Sequence, residues 1–325
     1  MLRTPQLLPP RVRPADIPRQ ILIRPKEFQK ELLDELRYHQ AQVIYSTDET
    51  HWLQEDRFEP AWADCVWRDV KGLEFDSITD AQKKLRAISP RWRYFGDLFH
   101  RRGALIAEGV VSKKKQQPFR FPSLPPSASD PVFTLADEHW ILYSQSVSRP
   151  TMNGLIPFEE NKDVPPSRAY LKLWEALTIL GEWPQPGERV VDLGSSPGSW
   201  SWALAELNAR VVSLDRTELS PKVMRSTNIE FRRGDAFSFQ PTPMDWVFSD
   251  VICYPEKLFD YVHSWLESGH CQKFVCNIKL RGESDPVLIE RFQTLPQSRV
   301  LHTLHGKHEL TWIHHPRLQQ QKFVK

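Results

Sequence analysis

Short apolar runs and helix-spaced amphipathic stretches alternate through the second half of the chain. "RVVDLG", "ARVVSLD", "NIEFRRGD", "MDWVFSDV" and "QKFVCNIKL" read as strands, each with acidic, polar or charged residues toward its C-terminal end. Apolar strands alternating with helices predict a parallel sheet covered on both faces. "SRAYLKLWEALTIL", ahead of the first strand, has the 3.6-residue spacing of a helix. Two late runs, "RVLHTLH" and "HELTWIHH", lie three residues or fewer apart and predict an antiparallel hairpin that finishes the sheet.

The first half follows a looser pattern. "ILIRP" can supply a strand, and Glu27 to Thr47 reads as a helix followed by a short strand. Helix–strand alternation continues through "DAQKKLRAIS" and "GALIAEGVV", and "HWILYSQS" reads as a further strand. "KKKQQPFRFPSLPPSASDP" and "RPTMNGLIPFEENKDVPPS" are dense in Pro, Ser and charge and are predicted as loop and linker. The expected division is a flexible tail over 1–18, an α+β region over 19–148, a linker over 149–166 and a Rossmann-like α/β domain over 167–325.

Bulk properties narrow the class. The 325 residues are 40% hydrophobic and 11% aromatic, enough for two or three cored domains. No stretch approaches the roughly 18 to 20 apolar residues of a membrane span. The basic, Pro-rich start "MLRTPQLLPPRVRPADIPRQ" lacks the apolar core of a secretory signal. A cytoplasmic protein without a membrane partner is expected. Cys65, Cys253, Cys271 and Cys276 form no CxxC pair; the last two, read as sharing a strand at odd separation, would face opposite ways. Reduced thiols and no metal site are predicted. Net charge is only +2. However, Arg91, Arg93, Arg101, Arg102, Lys113, Lys114, Lys115 and Arg120 crowd one region with Trp92, Tyr94 and Phe95. Aromatics among cations suggest an RNA surface.

The candidate chemistry centres on the turn Gly194-Ser195-Ser196-Pro197-Gly198-Ser199, which follows the first strand. A triphosphate loop needs GxxxxGK[ST], and no Lys follows here. A dinucleotide turn wants GxGxxG, and Ser196 stands at its second Gly. Pro197 also removes a backbone donor for an anion. S-adenosylmethionine (SAM), which carries no phosphate, fits the turn better. Asp215 ends the second strand, where it can accept from ribose hydroxyls. Asp235 ends the third, placed to meet an adenine amino group. Asp250 ends the fourth, near the reacting centre. With Asp192 on the first strand, four acids meet at strand ends, where open α/β sheets bind ligands.

These residues carry a resemblance. "VVDLGSSPGSWS" resembles the SAM motif DLGxxPGGWS of the FtsJ-like RNA ribose 2′-O-methyltransferases, "SRAYLKLWEA" their SRxxxKLxE helix, and "NIKLRG" the strand bearing their catalytic lysine. The linker and "HELTWIHH" look closest to the RlmM type, which acts on a cytidine of 23S rRNA. The motifs span about Ser148 to His315. The resemblance implies a ferredoxin-like and THUMP-like RNA-binding region before the methyltransferase domain. It also implies that Gly194, Ser196, Pro197, Gly198, Ser199, Trp200, Asp215, Asp235 and Asp250 hold SAM. The family's Lys-Asp-Lys-Glu tetrad falls on Lys172, Asp250, Lys279 and Glu309, with Lys279 as general base toward a large-subunit rRNA ribose.

A base at neutral pH requires a lowered lysine pKa. Lys172 nearby and partial desolvation are expected to lower that of Lys279, with Asp250 pulling the other way. Three departures stand out. Ser199 replaces a Gly. Ala169 replaces a Ser that touches the cofactor, a hydrogen bond worth about 1 kcal/mol. "KLRGES" loses the family's basic residues after the catalytic strand. They motivate the rival reading of an inactive RNA-binding protein that keeps the fold; a small-molecule methyltransferase is a third.

Overall fold

The computed structural model describes residues 17–55, 58–112, 118–125, 130–151, 153–280, 282 and 284–318. Nearly all of the 1–18 tail, Lys113, Lys114 and Lys115 of the basic region, and Arg281 and Glu283 of "KLRGES" lie outside the described residues.

Two small sheets form the first half. β1 (Gln20–Ile23), α1 (Gln29–Tyr38), β2 (Val43–Ser46), β3 (Thr50–Leu53) and β4 (Cys65–Arg68) are followed by β5 (Lys71–Glu74), α2 (Ile78–Ile88), β6 (Arg93–Tyr94) and α3 (His100–Ala107). β7 (Val132–Leu135), β8 (Trp140–Ser144) and β9 (Ser146–Val147) complete it. The strand orders are β2-β3-β1-β4-β9 and β5-β8-β7-β6. The "GALIAEGVV" stretch mostly extends helix α3; only Val111 near its end bridges to Trp92.

The basic-aromatic region is only partly a surface. Trp92 and Phe95 are buried, and the Arg93 guanidinium is turned inward onto the carbonyls of Asp130 and Pro150, both at 2.8 Å. β6 carries Arg93 into the second sheet, so the residues flanking it pack instead of interleaving with solvent-facing cations. Arg91, Arg101 and Arg120 remain exposed.

The second half is one sheet. It comprises α4 (Tyr170–Leu180), β10 (Arg189–Leu193), α5 (Ser199–Ala205), β11 (Arg210–Asp215), β12 (Ile229–Arg233), β13 (Trp246–Ser249) and α6 (Pro255–Ser268). β14 (Phe274–Lys279), α7 (Pro286–Gln293), β15 (Ser298–Leu301) and β16 (Glu309–His314) follow. The order is β12-β11-β10-β13-β14-β16-β15, parallel except for β16, which runs antiparallel to both neighbours. The strand order reverses between β10 and β13, and such a switch point opens a crevice at the carboxyl ends of the strands.

Alternate strand residues serve two cores. Val190, Val211, Phe248 and Val275 pack with α4 and α5 on one face; Val191, Val212, Val247 and Cys276 pack with α6 and α7 on the other. The second core continues into the first half, where Leu32 and Leu36 of α1 share a cluster with Leu288 and Phe292 of α7. Over 149–166, Arg149, Ile156 and Phe158 are buried as the chain passes between the halves.

Two details differ from the expected pattern. Cys271 precedes β14 instead of sharing it with Cys276, and its thiol faces the Lys273 carbonyl; all four cysteines are buried and free. The late hairpin is shorter in strand and longer in loop, because β15 stops at Leu301. Beyond it, the N–H groups of Leu304 and His305 donate to the Glu175 carboxylate at 2.9 and 3.0 Å, not to a ladder.

Glu35 of α1 is buried and accepts from the backbone of Ala61 at 2.8 Å and Trp62 at 3.2 Å. Burial pushes its carboxyl up to about 7, although those hydrogen bonds pull the other way. Because the folded pKa is raised, the unfolded chain ionises first as pH climbs, so this group's contribution to stability falls between the ordinary carboxylate range and pH 7. We expect the stability of the wild type relative to Glu35→Gln to fall by about 2 to 3 kcal/mol across that window, read from urea melts at several pH values. A flat difference would show that Glu35 is already ionised in the fold.

Candidate active site

At the carboxyl ends of β13 and β14 four charged side chains meet. Asp250 follows β13, Lys279 ends β14, Glu309 begins β16 and Lys172 lies on α4. Strand register sets part of this, since Lys279 and Glu309 are direct cross-strand partners. The Lys172 ammonium donates to both Asp250 oxygens at 3.2 Å and to Glu309 Oε1 at 2.7 Å. Lys279 pairs with the other oxygen of Glu309 and with Asp250. Far from being a solvated helix residue, Lys172 is buried.

Two lysines and two carboxylates thus share a partly dry corner, and their charges cancel. Burial disfavours the Asp250 charge, but Lys172 and Lys279 outweigh it and hold the carboxyl below the usual range. Glu309 is lowered in the same way, against burial, by the same two lysines. The expectation for Lys279 is overturned. Burial does oppose its charge, yet Asp250 and Glu309 more than compensate and raise its pKa above that of an ordinary lysine. The carboxylates lie closer and make direct hydrogen bonds, so they dominate over Lys172.

Asn277 also belongs to the corner. Its side-chain amide donates to Asp250 Oδ1 at 2.8 Å and accepts from Thr311 at 2.8 Å, which fixes the carboxylate's orientation. Asn277 and Lys279 are two apart on a strand and share one face, a signal available in "NIK" but not drawn from it.

Beside this corner lies a cleft of about 370 Å³ lined by Gly194, Asp215, Asp235, Phe237, Val251 to Tyr254 and Lys257, among others. Asp215 accepts from the Ser196 N–H at 3.1 Å and from the Thr217 N–H at 2.8 Å, which ties the turn to β11. Asp235 accepts from the Phe237 N–H at 2.8 Å and pairs with Arg216, both of which lower its pKa. Asp192 is fully buried inside β10, accepting from Ser201 at 2.6 Å, and burial pushes its carboxyl up to about 7. It anchors the strand instead of facing the cleft.

Of the turn residues from Gly194 to Trp200, only Gly194 is among those lining the cleft. Ser199 opens α5 with an ordinary φ, and its hydroxyl accepts from the Ser167 N–H and donates to the Ser167 carbonyl, both at 3.1 Å. The replaced Gly therefore leaves a tie between α5 and the segment before α4. Trp200 is buried, its indole N–H donating to Ala169 at 2.9 Å, so it is a packing residue and not a cleft wall. Gly194 has φ +73°, and a Cβ there would meet Val251 Cγ2 at 2.6 Å and Cα at 3.0 Å. Gly194→Ala is expected to lower stability by about 1 to 3 kcal/mol and to displace the Val251 loop, measurable by thermal melting. An unshifted melting curve would contradict that close approach.

The loop 302–308 that leads into Glu309 is held from both halves. The His302 N–H donates to Ala61 at 2.7 Å, and the His302 and His308 rings stack on Trp62 with centroids 5.3 and 5.4 Å away. Trp62 also donates to Ser284 at 3.1 Å. Glu175, three residues after Lys172 on α4, captures Leu304 and His305 and pairs with Arg149 at 2.7 Å. Among the described residues no group of three His, Cys, Asp or Glu side chains could hold a metal, and no helix is long and apolar enough to cross a membrane.

Residues 165–322, just under half of the chain, match the model of the FtsJ-like methyltransferase family. Relatives named ribosomal RNA large subunit methyltransferase M include one from Xylella fastidiosa (strain 9a5c), 36% identical over 44% of this chain and 43% of its own. One from Thauera aminoaromatica is 28% identical over 55% of this chain and 54% of its own. The chain thus spans about half the length of these curated relatives, or less. A solved structure described as a ribosomal RNA methyltransferase from Plasmodium falciparum overlaps 48% of this chain and 99% of its own, at a TM-score of 0.36 and 15% identity.

Proposed function

We propose that this chain, whose residues 165–322 form an FtsJ-like methyltransferase domain, transfers a methyl group from SAM to a ribose 2′-hydroxyl of large-subunit ribosomal RNA, the target base being a cytidine. The observation that carries the reading is the partly buried Lys172–Asp250–Lys279–Glu309 corner beside a strand-end cleft.

The cleft and the turn beside it suit SAM on three counts. Gly194 leaves a hollow that a Cβ would fill against Val251. Asp215 and Asp235 offer carboxylates at adjacent strand ends for ribose hydroxyls and an adenine amine. Ser195 Oγ is buried in the turn without a protein partner. When bound, SAM supplies an electrophilic methyl on a sulfonium.

The chain's own residues then divide the work. Asp250 orients both ammonium groups, and Asn277 orients Asp250. Lys172, held by Glu309 and Asp250, lies beside the target hydroxyl. Lys279, once it has released a proton to solvent, takes the hydroxyl proton as oxygen attacks. In the free site its raised pKa keeps it protonated. A further positive charge entering a corner whose charges already cancel makes that proton easier to lose.

The first half is read as a ferredoxin-like and THUMP-like RNA holder, with Arg91, Arg101 and Arg120 available to phosphates and a division near 149–166. The ordinary φ and ties of Ser199 favour an active enzyme over an inactive RNA-binding relic. The deciding experiment is transfer of tritiated methyl from SAM to transcribed 23S rRNA by the purified protein. Absence of incorporation, with SAM bound normally, would sink the reading.

A further inference from the structure

Ile252 and Tyr254 are 78% and 60% exposed, the two most exposed large apolar side chains among the described residues. Single exposed apolar groups are ordinary, but contiguous ones at a cleft mark a binding surface. These two sit in one loop, two and four residues beyond Asp250, and both line the cleft. Sheet order places them. Asp215 and Asp235 stand at the ends of β11 and β12, on the far side of β10, whereas the charged corner occupies β13, β14 and β16. The loop after β13 therefore lies on the side of the cleft toward Lys279.

We propose that Ile252 and Tyr254 form a platform for the base of the nucleotide whose ribose is presented to Lys279, an inference that rests on the methyltransferase reading. A ribose and its base are joined by one bond, so a 2′-hydroxyl brought to this corner carries its base into the immediate neighbourhood. Single-stranded bases lose their stacking partners when splayed out and regain it on aromatic or apolar side chains. Pro255 at the first turn of α6 fixes the backbone beside Tyr254, so the platform is carried by a helix start.

The test compares wild type, Ile252→Ser, Tyr254→Ala and Tyr254→Phe on transcribed 23S rRNA, with SAM affinity measured by calorimetry. Both side chains are exposed, and unchanged melting temperatures should verify folding. The platform predicts that Ile252→Ser and Tyr254→Ala each raise KM for RNA about ten-fold, while SAM affinity stays within two-fold and Tyr254→Phe, which keeps the ring, behaves nearly as wild type. Loss of SAM affinity with an unchanged KM for RNA would assign the residues to the cofactor and overturn the proposal. So would no change in either quantity. If wild type binds SAM yet methylates no RNA, the methyltransferase reading itself fails.

Discussion

Lys279→Ala is expected to slow methyl transfer by about 10² to 10⁴-fold, the span typical of losing a positioned general base. SAM affinity should change little, because Lys279 lies in the charged corner and not along the cleft lining. Lys279→Arg should not rescue the rate, since a guanidinium keeps its proton at any accessible pH. The raised pKa adds a signature. With most Lys279 protonated near neutrality, single-turnover rates of the wild type should climb steadily with pH through the alkaline range, and the slope should vanish in Lys279→Ala. Transfer by Lys279→Ala as fast as wild type would remove Lys279 from the base role, whatever else the domain does.

Asp250→Ala is the second large effect, and it acts on stability and rate together. The carboxylate touches both ammonium groups and Asn277, so its removal leaves two lysines sharing Glu309 alone. Breaking a buried pair by deleting one partner typically costs about 3 to 5 kcal/mol. Its lowered folded pKa means that this contribution is present above the ordinary carboxylate range and disappears as pH falls through the depressed value. Urea midpoints of wild type and Asp250→Ala should therefore converge in acid and separate at neutral pH. The rate at saturating RNA should also fall at least 10-fold, because the Lys279 amine loses its orienting partner. Midpoints that stay equally far apart at all pH values would mean the loss is one of packing and not of charge.

Much of this was legible in residue order. Five apolar runs ending in polar residues became five of the six strands that run parallel, the inner ones because buried parallel strands need side chains that are apolar on both faces. The pairing of Lys279 with Glu309 was not legible from spacing. It depends on the register by which β16 returns between β14 and β15. The direction of the Lys279 shift was misread for the same reason: it turns on which neighbours come within hydrogen-bond reach. Trp92 and Phe95 looked like surface aromatics among cations, and only the insertion of β6 into a sheet reveals that they are packed. Glu175 stands at the closing acid of the SRxxxKLxE motif, but its role was not legible, because Leu304 and His305, which it captures, lie more than a hundred residues away in sequence.

The hold of Ala61 and Trp62 on the loop before Glu309 has a bearing on how such a chain can be divided or inherited. A fragment starting near residue 165 would retain every strand of the large sheet and all four charged groups, but Glu309, which both lysines touch, would hang from a loop that has lost the indole on which two histidines stack. The amino-terminal half thus supplies part of the scaffold that keeps the Glu309 carboxylate in place. Exchanging that half between distant relatives would therefore reach into the charged corner, and any successful swap must carry the Trp62 loop and the 302–308 loop as a matched pair.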